Sequence, residues 1–328
     1  MYDALAITLP FFLTGFLLPK TIKFCQQQQA IDIPNHRSSH TVPTPRGGGI
    51  LLVLVATVTL NVLLALAPAG TFANPPLLLA LCWLGVGLAS IGWLDDTRNL
   101  PARIRLLAQL VVVAAALYWL PAATSFPIWV EKPVLLLAWV WFINLYNFMD
   151  GADGLAATEA AFIASGVALI CPQLKLAALI VAGCALGFLR FNRPKALIFM
   201  GDTGSTWLGF VLGGLLLAGW AEQGERALFP LFTLPLFFTA DATYTLLTRL
   251  IRGKKPWQAH REHWYQRALQ MGMTHSQLLI RASLLNAALL LLAVVGYATD
   301  SGGWTLLLAL LLVVSVAQRI RWLEGGKT

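Results

Sequence analysis

Long uncharged apolar runs alternate with short polar segments along nearly the whole chain. Within each run the apolar residues are continuous and do not alternate one by one, so the pattern predicts helices and not strands. Only helices or closed barrels can cross lipid, and a helical span needs roughly 20 apolar residues. The pattern predicts spans over 4–24, 48–68, 76–94, 104–121, 134–149, 156–171, 174–190, 204–220, 227–248, 279–298 and 303–320. The expected fold is therefore an all-α polytopic membrane protein with about 11 transmembrane helices. At that length the spans use roughly 220 residues. Too little remains for a second folded domain, so residues 1–328 are expected to form a single integral-membrane domain.

Composition agrees, with 58% of residues hydrophobic and 12% charged. The first run reads as a retained span and not a signal peptide, because its first positive residue, Lys20, follows the apolar stretch instead of preceding it. Cys25, Cys82, Cys171 and Cys184 show no metal-like spacing, and no zinc site or disulfide is expected. The net charge of +8 would suit a nucleic-acid partner. The placement of the charges explains it better, and no nucleic-acid partner is expected. Of the 23 Lys and Arg residues, Lys132, Lys175 and Arg226 fall in loops on one side of the eleven-span topology and the other 20 on the opposite side. The positive-inside rule makes the richer side cytoplasmic. The N-terminus is then expected outside and the C-terminus in the cytoplasm.

The candidate chemistry lies in the loops of the positive side. Residues 32–50, DIPNHRSSHTVPTPRGGGI, carry Arg37, His40 and Arg46 as candidate phosphate ligands. Gly47-Gly48-Gly49 would let backbone N–H groups approach an anion. Asp95 and Asp96 follow at the end of the third span. Adjacent helical residues diverge by about 100°, which suggests separate jobs, although ion pairs with Arg98 and Arg103 in a solvated turn would also account for them. Between Trp141 and Ala157, the stretch WFINLYNFMDGADGLAA places Asn144, Asn147, Asp150 and Asp153 at three-residue intervals. On a helix such neighbours share a face. Asp202 sits between glycines just before an apolar span, where a helix N-terminus favours an anion. It reads either as a metal ligand or as the cap of that helix. In the segment 247–277, His260 and His263 share a face if the segment is helical, and Arg249 and Arg252 lie one turn apart. Arg261 and Arg267 are six residues apart and need not point the same way. A histidine pair alone is a weak zinc signal without a third ligand, so anion recognition fits this loop better.

Taken together, these loops resemble the polyprenyl-phosphate N-acetylhexosamine-1-phosphate transferases, glycosyltransferase family 4. The pair Asp95-Asp96 is similar to that family's DD motif. Asn144, Asn147, Asp150, Gly151, Asp153, Gly154 and Leu155 match NxxNxxDGxDGL, and Gly201, Asp202, Gly204 and Ser205 match GDxGS. HREHWYQR at 260–267, with PNHRSSH and PTPRGGG, resembles the members that prime O-antigen and capsule synthesis, and departs from the triple-His form of the peptidoglycan enzyme. The resemblance spans about residues 32 to 281. It implies that an undecaprenyl or other polyprenyl phosphate attacks the β-phosphorus of a UDP-N-acetylhexosamine and releases UMP, at the cytoplasmic face of a bacterial inner membrane.

Phosphoryl transfer of this kind depends on positioning and charge neutralisation, and Mg²⁺ takes one or two carboxylates plus phosphate oxygens. Asp202 is the expected leading ligand for Mg²⁺ or Mn²⁺, with Asp95 also in reach of the metal. Asp95 is expected to handle the lipid phosphate's proton, supported by Asp96. Asp150 and Asp153 complete the catalytic set and, with Asn144 and Asn147, would orient the nucleotide and the metal shell. Direct attack and a covalent aspartyl intermediate both remain open. Arg37, His40, Arg46, Asn192, Arg249, Arg252, His260, Arg261, His263 and Arg267 are the expected substrate-binding set. The competing reading is a transporter or flippase. Transporters typically place their polar groups near the bilayer midplane on broken helices in repeated halves. Here the acids gather at one face, and no repeat is visible. The sugar and the oligomeric state, a homo-oligomer included, are open from sequence.

Overall fold

A computed structural model describes residues 1–34, 39–68, 70–72, 74–255 and 260–325. Arg37 lies outside the described residues. The helices are α1 (Tyr2–Gln27), α2 (Gly49–Leu66), α3 (Pro75–Arg98), α4 (Ala102–Trp119), α5 (Ile128–Phe148), α6 (Leu155–Ile170), α7 (Lys175–Asn192), α8 (Gly201–Gln223), α9 (Glu225–Thr233), α10 (Leu236–Ile251), α11 (Trp264–Gln270), α12 (His275–Ala298) and α13 (Gly302–Gly325). The strands among the described residues are a two-residue antiparallel pair, Ile31–Asp32 with Thr44–Pro45.

The chain is an all-α polytopic membrane protein. Nine of the described helices are long and apolar enough to cross a bilayer. A further pair, α9 and α10, passes the same test together but is bent by 72° at its break. The remaining apolar helix, α6, has 16 residues, about 24 Å at 1.5 Å per residue. Each predicted span thus falls on a helix or, for 227–248, on the bent pair. Pro235 stands at that break, where the missing N–H and fixed φ of proline cannot continue a helix. The break resembles a transporter feature, but the only carboxylate on α10 has another use, described below.

One boundary differs instructively. α5 begins at Ile128 and not near 134, and so takes Glu131 and Lys132 into its first turns. Both charges are satisfied locally. Glu131 accepts hydrogen bonds from Ala123 N at 3.0 Å and Thr124 Oγ1 at 2.6 Å, and Lys132 Nζ donates to Leu120 O at 2.7 Å.

α8 forms the centre, buried from Thr203 to Gly219. α3 and α5 pack on it, while α1 packs on α7 and α6 on α7. Glycine sets the closest approach. A Cβ at Gly49 would lie 2.2 Å from Gly204 Cα, so α2 and α8 cross backbone to backbone at their N-terminal ends. This crossing brings the first polar loop onto the start of α8, where Gly48 N donates to Phe199 O at 3.0 Å and Gly49 N to Met200 O at 2.9 Å.

Candidate active site

The N-terminus of α8 gathers the acids. Its first N–H groups have no partner within the helix, and Asp96 of α3 supplies one. Asp96 Oδ1 accepts from Asp202 N at 2.9 Å, and Oδ2 from Thr203 N at 3.0 Å and Thr203 Oγ1 at 2.7 Å. The turn that permits this needs Gly201. Its φ is +73°, and a Cβ there would lie 2.5 Å from Asp96 Oδ2. Asp96 is 4% exposed, and Arg46 Nε donates to its backbone carbonyl at 2.9 Å. The helix is therefore capped from a neighbouring helix and not by its own Asp202, Thr203 or Ser205.

Asp202 is left to face other side chains. Its Oδ1 accepts from Asn147 Nδ2 at 3.0 Å and its Oδ2 from Arg105 Nη1 at 2.9 Å. The same Arg105 nitrogen donates to Asp95 Oδ2 at 2.8 Å. Asp95 is thus paired with Arg105, one turn into α4, and Asp96 has Arg46 beside it, with Arg98 and Arg103 partnering neither. Asp95 Oδ1 accepts from Leu100 N at 2.6 Å, which fixes the α3–α4 turn.

The asparagine and aspartate stretch is divided between two elements. α5 ends at Phe148, so Asn144 and Asn147 lie on its last turns, whereas Asp150 and Asp153 lie in the loop before α6. A single helical face through all four does not form. The loop bends beneath α11, where Tyr265 Oη donates to Phe148 O at 3.1 Å and would sit 2.1 Å from a Cβ at Gly151. Asn147 Nδ2 also donates to Ser205 Oγ at 2.8 Å. Asn144 turns away and donates to Gln109 Oε1 of α4 at 2.6 Å. Asp153 meets His275 at the start of α12, with 3.4 Å from Oδ1 to Nδ1, and His275 Nε2 lies 3.1 Å from Ser39 O. Asn192 accepts from Gly154 N at 3.1 Å and donates to Ile198 O at 2.9 Å, tying that loop to the one before α8.

These groups line a cavity of about 470 Å³ whose walls include His40, Arg46, Asp150, Asp153, Asp202 and Arg261. Asp96, Asn147 and Asn192 reach it as well. Burial, with the Asp202 and Asp96 carboxylates nearby, pushes the Asp150 carboxyl well above the usual carboxylate range. No cluster of three or more His, Cys, Asp or Glu side chains close enough to enclose a metal occurs among the described residues. The donor set is carboxylate oxygen on one wall of an open cavity. That suits a hard cation whose remaining ligands come from phosphates and water.

The late loop departs most from expectation. His260 and His263 do not share a helical face, because α11 starts only at Trp264, with His263 as its N-cap. Asp241 of α10 organises this start. It accepts from Trp264 N at 2.9 Å and Tyr265 N at 3.2 Å, and lies 3.3 Å from His263 Nδ1. His263 is 2% exposed. Arg249, expected to contact an anion, is instead buried against Glu262 and donates to Lys255 O at 3.2 Å. Burial, His263 and Arg249 together lower the His260 pKa to about 4. Arg261 and Gln266 reach the cavity, whereas Asp95, Asn144, Arg249, Arg252, His260, His263 and Arg267 are not among its walls.

Arg105, Gln109, Asp241 and His275 were not picked out as site residues from the sequence. The signal available for Gln109 and Asp241 was an isolated polar group inside an otherwise apolar span, which is costly in lipid and marks a partner.

The family model for glycosyl transferase family 4 matches residues 78–219. This range holds both aspartate pairs, both asparagines and Asp202. Phospho-N-acetylmuramoyl-pentapeptide-transferase of Synechococcus sp. (strain JA-3-3Ab) is 34% identical over 63% of this chain and 65% of its own length. Decaprenyl-phosphate N-acetylglucosaminephosphotransferase of Mycolicibacterium smegmatis is 30% identical over 82% of this chain and 75% of its own. The probable undecaprenyl-phosphate N-acetylglucosaminyl 1-phosphate transferase of Bacillus subtilis is 29% identical over 75% of this chain and 71% of its own.

Proposed function

The chain belongs to glycosyl transferase family 4, and from that premise we propose that it transfers an N-acetylhexosamine 1-phosphate from a UDP-sugar to undecaprenyl phosphate. The observation that carries this reading is the single cavity in which Asp202, Asp150, Arg46 and Arg261 converge at the ends of apolar helices. Such a site would take a lipid phosphate from the bilayer and a nucleotide from the aqueous side. Release of UMP by purified protein, dependent on both substrates, tests it. The late loop's likeness to O-antigen and capsule primers extends the proposal to the first lipid-linked sugar of a surface polysaccharide. A transporter is not favoured, because Asp241 on the broken helix is used to start α11.

The proposed reaction joins a lipid phosphate oxygen to the β-phosphorus and breaks the bond from that phosphorus to the bridging oxygen, which leaves with UMP. Mg²⁺ held by Asp202, with Asp150 of the same cavity in place of Asp95, which does not line it, would supply charge neutralisation for the phosphates. Arg105 bridges Asp95 and Asp202 through one nitrogen. Asn147 fixes the other Asp202 oxygen. Asp95 stands beside them as the group to accept the lipid phosphate's proton. With a second phosphate pKa near 6, little base strength is needed at neutral pH. Asp96 positions the start of α8 at the edge of the cavity.

Arg46, His40 and Arg261 face the cavity and are assigned to the donor's phosphates and sugar. A planar guanidinium donates two parallel hydrogen bonds to phosphate. Arg261→Ala is expected to lower kcat/KM for the UDP-sugar at least ~10-fold, and Arg261→Lys to recover little of it. His263→Ala should act differently, lowering stability with a smaller effect on KM. Equal kinetic losses at both positions would return the histidines to the substrate. His260, with its pKa near 4, contributes no inflection to the rate between pH 5 and 8. Below its ordinary value of 6.5 the unfolded chain takes up this proton first, so its contribution to stability is lost as pH falls toward 4.

The charge asymmetry supports a site facing the cytoplasm across the inner membrane. All four cysteines are buried, which gives a clean background for labelling. A cysteine at Gln223 should react with an impermeant thiol reagent in intact cells, and one at Arg193 should not. The opposite pattern would place the acids outside.

A further inference from the structure

A second cavity of about 330 Å³ lies between α10, α11, α12 and α13. Its walls are mostly apolar and include Phe237, Trp264, Met273 and Leu285. Arg281 and Arg319 also line it. Both arginines are exposed, and neither makes a hydrogen bond or ion pair with a described residue. Arg321, two residues beyond Arg319, stacks over the Tyr244 ring at 4.8 Å. Trp264 is 4% exposed, yet its indole N–H has no acceptor among the described residues. The arginines stand at the polar end of the bundle. His275, which meets Asp153, starts α12, and Arg281 lies about 9 Å further along it at 1.5 Å per residue.

An apolar cavity with two uncommitted arginines at one end is complementary to an anionic lipid. Basic pockets between spans on the cytoplasmic side hold phosphate headgroups in this way. α11 separates this cavity from the catalytic one: Gln266 and Leu269 line the catalytic cavity, whereas Trp264, Tyr265 and Ala268 line this one. A headgroup at Arg281 and Arg319 therefore sits behind α11, away from Asp202. That position argues for a resident lipid and against the reacting acceptor.

We infer that this cavity binds an anionic membrane phospholipid, with its phosphate on Arg281 and Arg319 and an acyl chain against Phe237, Trp264 and Leu285. The occupant supports α11 from behind and so steadies Gln266 and the neighbouring Arg261 at the catalytic cavity.

The test uses the full-length protein in neutral detergent, titrated separately with phosphatidylglycerol, phosphatidylcholine and polyprenyl phosphate. Retained lipids are counted by native mass spectrometry, and thermal stability is followed in parallel. Phosphatidylglycerol should bind at least ~10-fold more tightly than phosphatidylcholine, and polyprenyl phosphate should not displace it. The double variant Arg281→Ala/Arg319→Ala should lose most of that preference. Ala282→Leu, at a 4% exposed wall position, should exclude the lipid while both arginines remain. Arg193→Ala, on an exposed residue elsewhere, should change nothing. Equal binding of the two phospholipids, an unchanged preference in the arginine variant, or displacement by polyprenyl phosphate would overturn the inference. Binding is read without turnover, so this outcome is independent of the proposed reaction.

Discussion

Asp202→Asn is expected to lose at least ~10²-fold in turnover, the scale of several kcal/mol of lost charge stabilisation. The substitution keeps the size of the side chain and removes a hard anionic oxygen. It also deprives Arg105 of one of the two carboxylates that its Nη1 bridges. The variant should need more Mg²⁺ for half-maximal rate, if rate remains measurable. Because Asp96, and not Asp202, accepts the N–H groups at the start of α8, the variant should fold with near-normal thermal stability. A near-normal rate at saturating Mg²⁺ would show that Asp202 is no metal ligand.

Asp96→Asn should fail in a different way. Both carboxylate oxygens accept hydrogen bonds from the first turn of α8, and the residue is 4% exposed. The amide turns one acceptor into a donor, directed at a backbone N–H or at Thr203. Leaving such buried groups without partners costs about 3 kcal/mol. The melting temperature should fall clearly, and activity should fall with it because Asp202 loses its placement. The Mg²⁺ concentration for half-maximal rate should change little in the molecules that remain folded. Full stability combined with lost activity would instead make Asp96 a participant in the chemistry. The adjacent aspartates thus have different expected signatures, since Asp95 shares Arg105 with Asp202 and Asp96 holds the helix.

The apolar helices were legible because long apolar runs are a local property of the sequence. The acids were legible because their spacing and flanking glycines are local too. What was not legible depends on contacts between distant segments. The helix through Asn144 and Asn147 stops at Phe148, whose carbonyl accepts from Tyr265 Oη, more than a hundred residues later. Arg249 looked like an anion ligand but pairs with Glu262, as the loop folds back on α10. His263 packs against the His260 ring at 4.9 Å, but it meets Asp241 at the start of α11 and neither histidine lines the cavity. Arg105 was counted only as a topological charge, since nothing local distinguishes it from Arg103. Its reach from the first turn of α4 is what joins Asp95 to Asp202.

The most direct test of the central claim follows a single phosphorus atom. Purified protein is given a UDP-N-acetylhexosamine labelled at the β-phosphorus, with undecaprenyl phosphate and Mg²⁺. The account predicts that the label moves into the lipid fraction together with the sugar, while unlabelled UMP is released in equal amount. A panel of UDP-sugars run in the same way identifies the natural donor by its kcat/KM. Label remaining in released UDP while the sugar alone moves to the lipid would contradict the account, as would UDP-sugar left intact in the presence of every donor, lipid and metal supplied.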